Sequence, residues 1–222
     1  MTATVDSPAP TPPAAETRPR SRWPRLLVGF VVIAALVFAA GKVALGRFAP
    51  HLYAGSILQG DESAPPLDGL MLSDGRPADL SLFDGKLVIV YFGYMNCPDV
   101  CPTALSDVAA ALDLMPSDAA ADVQLVMVSV DPARDSLEDL GNFVGSFDPT
   151  FLGAGADLEA IDKVATQYGV YYAHGEGDVE SGYTVDHTAT LMGIDTEGKL
   201  RILWSPEVTR PQLAADFEAL LD

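Results

Sequence analysis

The hydrophobic pattern of this 222-residue chain comes in two periods. "KLVIVYFGY" (86–94) and "DVQLVMVSV" (122–130) are nearly unbroken apolar runs, the first bounded by Gly85. Runs of this length without alternation predict strands buried on both faces. Other stretches repeat their apolar positions at helical spacing. These are "TALSDVAAALDLM", a segment over roughly 135–146 opened by "DPARDS", and "DLEAIDKVATQYG", which Gly169 stops. "GLMLSDGRPADL" predicts a short strand, a turn at Asp74-Gly75 and a return, and "TFLGAGA" a short strand or loop. "YTVDHTATLMGID" and "KLRILWS", joined by a turn at Glu197-Gly198, predict a β-hairpin. "TRPQLAADFEALLD" predicts a capped C-terminal helix with proline at its start.

The order is then β-α-β-α-β-α-β-β-α. Such alternation implies a largely parallel sheet with helices on both faces. The closing antiparallel hairpin makes the sheet mixed. This is the order of an α/β, thioredoxin-like (peroxiredoxin-like) fold, assigned here to residues 65–222.

The N-terminal part has a different texture. Residues 1–22 are rich in Pro, Ala and Thr without apolar periodicity, which predicts a disordered tail. From Leu26 to Gly41 there is no charge, and the apolar character continues past Lys42 to Leu45. A helix of about 20 such residues crosses a bilayer core. Residues 23–47 are therefore expected to form one transmembrane helix, with Lys42 snorkelling at its far end. Four arginines precede the span, which places the N-terminus in the cytoplasm and the remainder on the periplasmic side of the cytoplasmic membrane. A cleaved signal peptide is the rival reading, disfavoured by the length of the run and the lack of a small-x-small site. Residues 48–64 read as a tether.

Charge sharpens the division. Before residue 48 there are six basic groups (Arg18, Arg20, Arg22, Arg25, Lys42, Arg47) against Asp6 and Glu16, yet the whole chain carries −18. A body this acidic repels nucleic acid, which excludes that class of partner.

Only two cysteines are present, Cys97 and Cys101, in "NCPDVCPTAL". A disulfide so local restricts little of the unfolded chain, so a purely structural bridge is disfavoured. The pair sits where the first buried strand ends and a helix begins, where α/β proteins collect functional groups and a helix N-terminus stabilises thiolates. Pro98 and Pro102 predict an irregular turn over 97–101, with the regular helix starting at about 102 and Asp99 capping it or simply solvated. Dithiol oxidoreductases usually separate their cysteines by two residues; three here weaken that reading and leave it open. Structural zinc wants four ligands, and there is no second cysteine pair. Two thiolates and an imidazole would suit copper. Of the three histidines, His51 and His174 read as bystanders, while His187, in "YTVDHTATL", is a candidate third ligand.

Taken together, "YFGYMNCPDVCPTAL", "VSVDPARDS", "YGVYYAHGEGDVESGYTVDHTATLMGIDTEGKL" and the preceding apolar span resemble the Sco/SenC family of copper chaperones for cytochrome c oxidase. The resemblance implies a thioredoxin-like domain at the outer face of an energy-transducing membrane. It implies one copper ion, Cu(I) or Cu(II), held by Cys97, Cys101 and His187. The implied partners are cytochrome c oxidase subunit II, whose dinuclear copper site receives the metal, and other periplasmic copper carriers or thiol reductants. The alternative is a membrane-anchored thiol–disulfide oxidoreductase acting on those copper-site cysteines or in redox signalling. There Cys97 attacks, Cys101 resolves and His187 tunes thiolate reactivity. A peroxidase of peroxiredoxin type shares the broad fold, but no arginine lies near the motif in sequence.

One departure is local. Family members often carry Thr-His before the first cysteine, and this chain has Met95-Asn96. That removes a nearby base, and Met95 reads as a packing residue. Asp131 is expected either near the cysteine turn or capping the next helix. Asp186, beside His187 in a strand, should face the other way.

Overall fold

The computed structural model describes residues 31, 33, 34, 36–38, 51–60, 63–177, 179 and 182–221. The chain divides into two units, Met1–Pro50 and His51–Asp222. In the first, the described residues Val31, Ile33, Ala34 and Leu36–Phe38 are helical and exposed. The anticipated tail, and the anticipated span over 23–47 apart from those six residues, lie outside the described residues. Among the described residues no helix is long and apolar enough to cross a membrane.

The second unit is built on the two apolar runs. They form β3 (Leu87–Gly93) and β4 (Val123–Ser129), parallel to one another and buried at every position. Both faces are covered, which is why neither strand alternates. β5 (Leu152–Gly155) extends the parallel set beside β4, and β2 (Met71–Leu72) closes that edge antiparallel. On the other side β8 (Leu191–Ile194) and β9 (Leu200–Trp204) form the expected hairpin, and β1 (Ser56–Ile57) pairs with β9. The order across the seven-stranded sheet is β1-β9-β8-β3-β4-β5-β2. The mixed, thioredoxin-like architecture read from the sequence is present.

Helices α1 (Val100–Leu112), α2 (Ser117–Ala121), α3 (Leu137–Gly145), α4 (Leu158–Gln167) and α5 (Arg210–Leu221) fill the connections and the C-terminus. α1 packs against α5, and α3 against β5. α3 starts at Leu137, with the Ser136 hydroxyl accepting from the Asp139 N–H; Asp157 caps α4 in the same way. Gly169 ends α4 at φ +67°, a left-handed conformation that costs glycine little. The core includes Leu105, Trp204 and Phe217, all fully buried, the last two packed edge to face with ring centroids 5.2 Å apart.

Three elements differ from expectation. Part of the presumed tether is structured, since β1 joins the sheet and His51 Nε2 lies 2.7 Å from Asp216 Oδ1. Asp216 is 1% exposed, and it also accepts from the N–H groups of Ala54 and Gly55 and from Trp204 Nε1. A buried carboxylate needs such donors, so this one fastens the entry of the chain to β9 and α5. Second, "YTVDH" does not extend β8. It forms β7 (Val185–His187), which pairs antiparallel with β6 (Tyr172–His174) in a separate two-stranded sheet. Third, α1 begins at Val100 rather than at about 102. Pro102 falls in the first turn, where N–H groups have no partner inside the helix, so its missing donor costs nothing there.

Candidate metal centre

Three elements converge. β3 delivers the chain to a turn in which the Cys97 N–H donates to the Tyr94 carbonyl at 3.3 Å. Cys101 lies in the first turn of α1, and its N–H donates to Cys97 Sγ at 3.4 Å. β7 brings His187, with Nε2 3.3 Å from Cys101 Sγ. Cys97 Sγ, Cys101 Sγ and the imidazole nitrogen all lie within 4.8 Å of one another. Bound to a zinc-like ion, sulfur sits about 2.3 Å and imidazole nitrogen about 2.0 Å away. The three atoms thus reach a shared ion with a closure of a few tenths of an ångström.

Both cysteines are free and buried, Cys101 completely and Cys97 at 8% exposure. Room for Cys101 comes from Gly93, the last residue of β3. A Cβ there would stand 2.9 Å from Cys101 Sγ and 2.9 Å from Tyr91 Cε1. Burial pushes the Cys101 thiol up to about 12, so it is protonated at neutral pH in the metal-free fold. Burial likewise holds the His187 imidazole below its usual range, so it is neutral. The Thr188 carbonyl lies 3.2 Å from Nδ1, which assigns the ring proton there and leaves the Nε2 lone pair aimed at the sulfur. Tyr91 and Tyr94 wall the ring edge-on, at centroid distances of 6.1 and 5.8 Å. Two thiols and one neutral imidazole offer a soft, mostly anionic donor set once the thiols lose their protons.

The other residues weighed in the sequence fall around this centre. Asp99 makes no side-chain capping bond to the helix; its Oδ1 lies 3.4 Å from the Thr103 hydroxyl. Asp131 does not cap α3; it is fully buried and accepts from Arg134 Nε and the Tyr183 hydroxyl. Asp186 is exposed and faces away from His187, as alternation requires. Met95 is half-buried against the core, and its N–H donates to Asp135 Oδ2. His174 is exposed, with Nε2 4.0 Å from Asp131 Oδ1, and stays outside the donor set. Sequence reasoning passed over Arg134, Asp135, Tyr183 and the two tyrosine walls. Asp131 and Arg134 at i,i+3 gave a local hint of an ion pair, whereas Tyr183 is 52 positions from Asp131 and gave none.

The fold and the cluster define a class: a thioredoxin-like domain with a two-thiol, one-imidazole donor set at the carboxyl end of a central strand. Within that class the chain belongs to the SCO1/SenC family, whose model matches residues 69–222. The mitochondrial SCO1 homolog 1 of Arabidopsis thaliana is 38% identical over 122 residues, which is 55% of this chain and 36% of that one. The chain thus spans little more than a third of that relative. Among solved structures, apo Sco1 of Thermus thermophilus superposes with a TM-score of 0.67 at 35% identity, covering 78% of this chain and 99% of that one. Copper-bound ScoI of Bradyrhizobium japonicum gives a TM-score of 0.64 at 33% identity, covering 72% and 99%.

Proposed function

We propose that this chain is a copper metallochaperone that binds one ion, as Cu(I) or Cu(II), through Cys97 Sγ, Cys101 Sγ and His187 Nε2. It passes the ion to the dinuclear copper site of cytochrome c oxidase subunit II. The observation that carries the reading is the convergence of those three donor atoms within 4.8 Å. The copper-bound relative and the soft character of the set select the metal. On loading, each coordinating thiol gives up its proton and the neutral imidazole gives up none. Three ligands leave the ion open on one side, so an incoming cysteine or histidine of the partner can bind before one of these departs. The protein acts as a carrier rather than an enzyme. Residues 23–47 anchor it in the cytoplasmic membrane, with residues 1–22 cytoplasmic, 48–64 as the link and 65–222 periplasmic. The uninterrupted apolar run after four arginines supports this placement.

The test is an anaerobic copper titration of the reduced full-length chain. One equivalent should bind tightly, and Cys97→Ala, Cys101→Ala and His187→Ala should each weaken binding by at least about tenfold. Unchanged affinity in His187→Ala would sink the three-ligand site.

The difference in exposure between the cysteines favours a second reading. Cys97, the less buried of the two residues, would attack a partner's disulfide as thiolate, and Cys101 then displaces the partner. The partner gains two electrons and leaves with two thiols, and Cys97–Cys101 becomes the disulfide. His187→Ala separates the two roles: a reductase keeps its activity when copper binding is lost.

A further inference from the structure

The turn Asp131–Asp135, which follows β4, reaches both halves of the donor set. Asp131 is fully buried and holds Arg134 Nε at 2.5 Å on Oδ2 and the Tyr183 hydroxyl at 2.6 Å on Oδ1. Arg134 Nη1 donates to the Tyr183 carbonyl at 2.8 Å, and the guanidinium lies 3.7 Å from the Tyr183 ring centroid. Tyr183 stands just before β7, the strand that ends on His187. The same guanidinium lies 5.7 Å from the centroid of Tyr94, the ring that walls His187 at 5.8 Å. At the other end of the turn, Asp135 Oδ2 accepts from the Ser129 hydroxyl at 2.7 Å and from the Met95 N–H at 3.0 Å. Met95 opens the turn that leads into Cys97.

We infer that this turn is the positioning element of the centre, with Arg134 setting His187 and Asp135 setting the cysteine turn. The inference rests on the metal reading above. His187 needs such a device because its own sheet does not hold it. Among the described residues, β6 and β7 are three residues each and pair only with one another. An isolated two-stranded ribbon is marginal in water. A buried ion pair, in turn, adds little net stability over apolar packing of the same volume. Its directed bonds do fix geometry: the planar guanidinium ties Asp131 to the Tyr183 carbonyl in one orientation.

Arg134→Lys keeps the charge beside Asp131 and loses the fork. In the full-length chain it should weaken Cu(I) binding by about 10- to 100-fold and alter the nitrogen hyperfine pattern of the Cu(II) form. In a His187→Ala background it should change neither, because it acts through the imidazole. Asp135→Ala should weaken binding in both backgrounds, because it acts through Cys97. Loss of affinity for Arg134→Lys that is equal in the two backgrounds, or absent from both, overturns the inference. Hydrogen exchange of the metal-free chain gives an independent arm. Arg134→Lys should speed exchange over residues 183–188 and leave β3 and β4 protected. Uniform acceleration, or none, overturns the inference. A wild-type chain that takes up no copper would instead fell the metal reading, and the exchange arm alone then decides the positioning role.

Discussion

Gly93 shows how narrowly the centre is built at the scale of single residues. The Gly93→Ala methyl would press on Cys101 Sγ and the Tyr91 ring, both at 2.9 Å. Neither can retreat through the packed core. The substitution should cost about 1–3 kcal/mol and lower copper affinity, measured by denaturant unfolding and by titration. A variant as stable as wild type with unchanged affinity would show that the sulfur has room. Asp135 gives a pH signature that needs no metal. Burial raises its carboxyl above the ordinary range, against the Ser129 and Met95 donors. In the window between the unfolded and folded values the folded state therefore holds a proton that the unfolded chain has released. Stability falls as pH rises through that window, and the cost is complete above it. Asp135→Asn should remove this fall, so unfolding midpoints of the two proteins should converge at low pH and separate as pH rises. Parallel curves would refute the assignment. The two cysteines were legible at this scale because they are few and carry their chemistry in their identity, whereas His187 stood out from the other two histidines as the third ligand only through the family resemblance. Gly93, Arg134 and Tyr183 were not legible, because their roles depend on what approaches them in space.

At the scale of elements, the strands with unbroken apolar runs and the capped helices followed from local pattern. Apart from the start of α1, the failures share a cause, which is that short elements carry too little pattern to read. β1 is only two residues in a stretch without alternation, and it exists because the Asp216 carboxylate gathers the preceding backbone beside β9. β6 and β7 lack alternation long enough to separate them from loop, and the pairing of Tyr172 with His187 spans an acidic, glycine-rich segment. Asp216→Ala tests the first of these arrangements. It strands Trp204 Nε1 and two backbone N–H groups, so it should cost about 2–4 kcal/mol. The same variant should open residues 51–58 to proteolysis before the rest of the unit. Simultaneous cleavage throughout would mean that the carboxylate serves the whole fold rather than the entry segment.

For the whole molecule, charge is the property that no single element reveals. The net charge of −18 lies against a basic N-terminal stretch, so nearly all the negative field belongs to the folded body. Encounter with a basic partner should be steered, and raising salt from about 20 to 200 mM should slow association by about tenfold. For the proposed hand-over to oxidase subunit II, stopped-flow association of the copper-loaded chain with a purified subunit II domain would measure it, and a rate indifferent to salt would remove steering from the account. Dissociation should change much less, since the ligand exchange is short-ranged.

The clasp at Asp216 also has a mechanical meaning. A pull arriving through the residues before His51 meets the His51–Asp216 contact, the bonds to Ala54 and Gly55 and then the β1–β9 ladder. β1 is an edge strand of two residues, so tension would peel it rung by rung before any load reached β3. The clasp and the edge strand together form a strain relief, as on a cable. Tension on residues 51–55 would be spent at this edge while the two sulfurs and the imidazole keep their spacing.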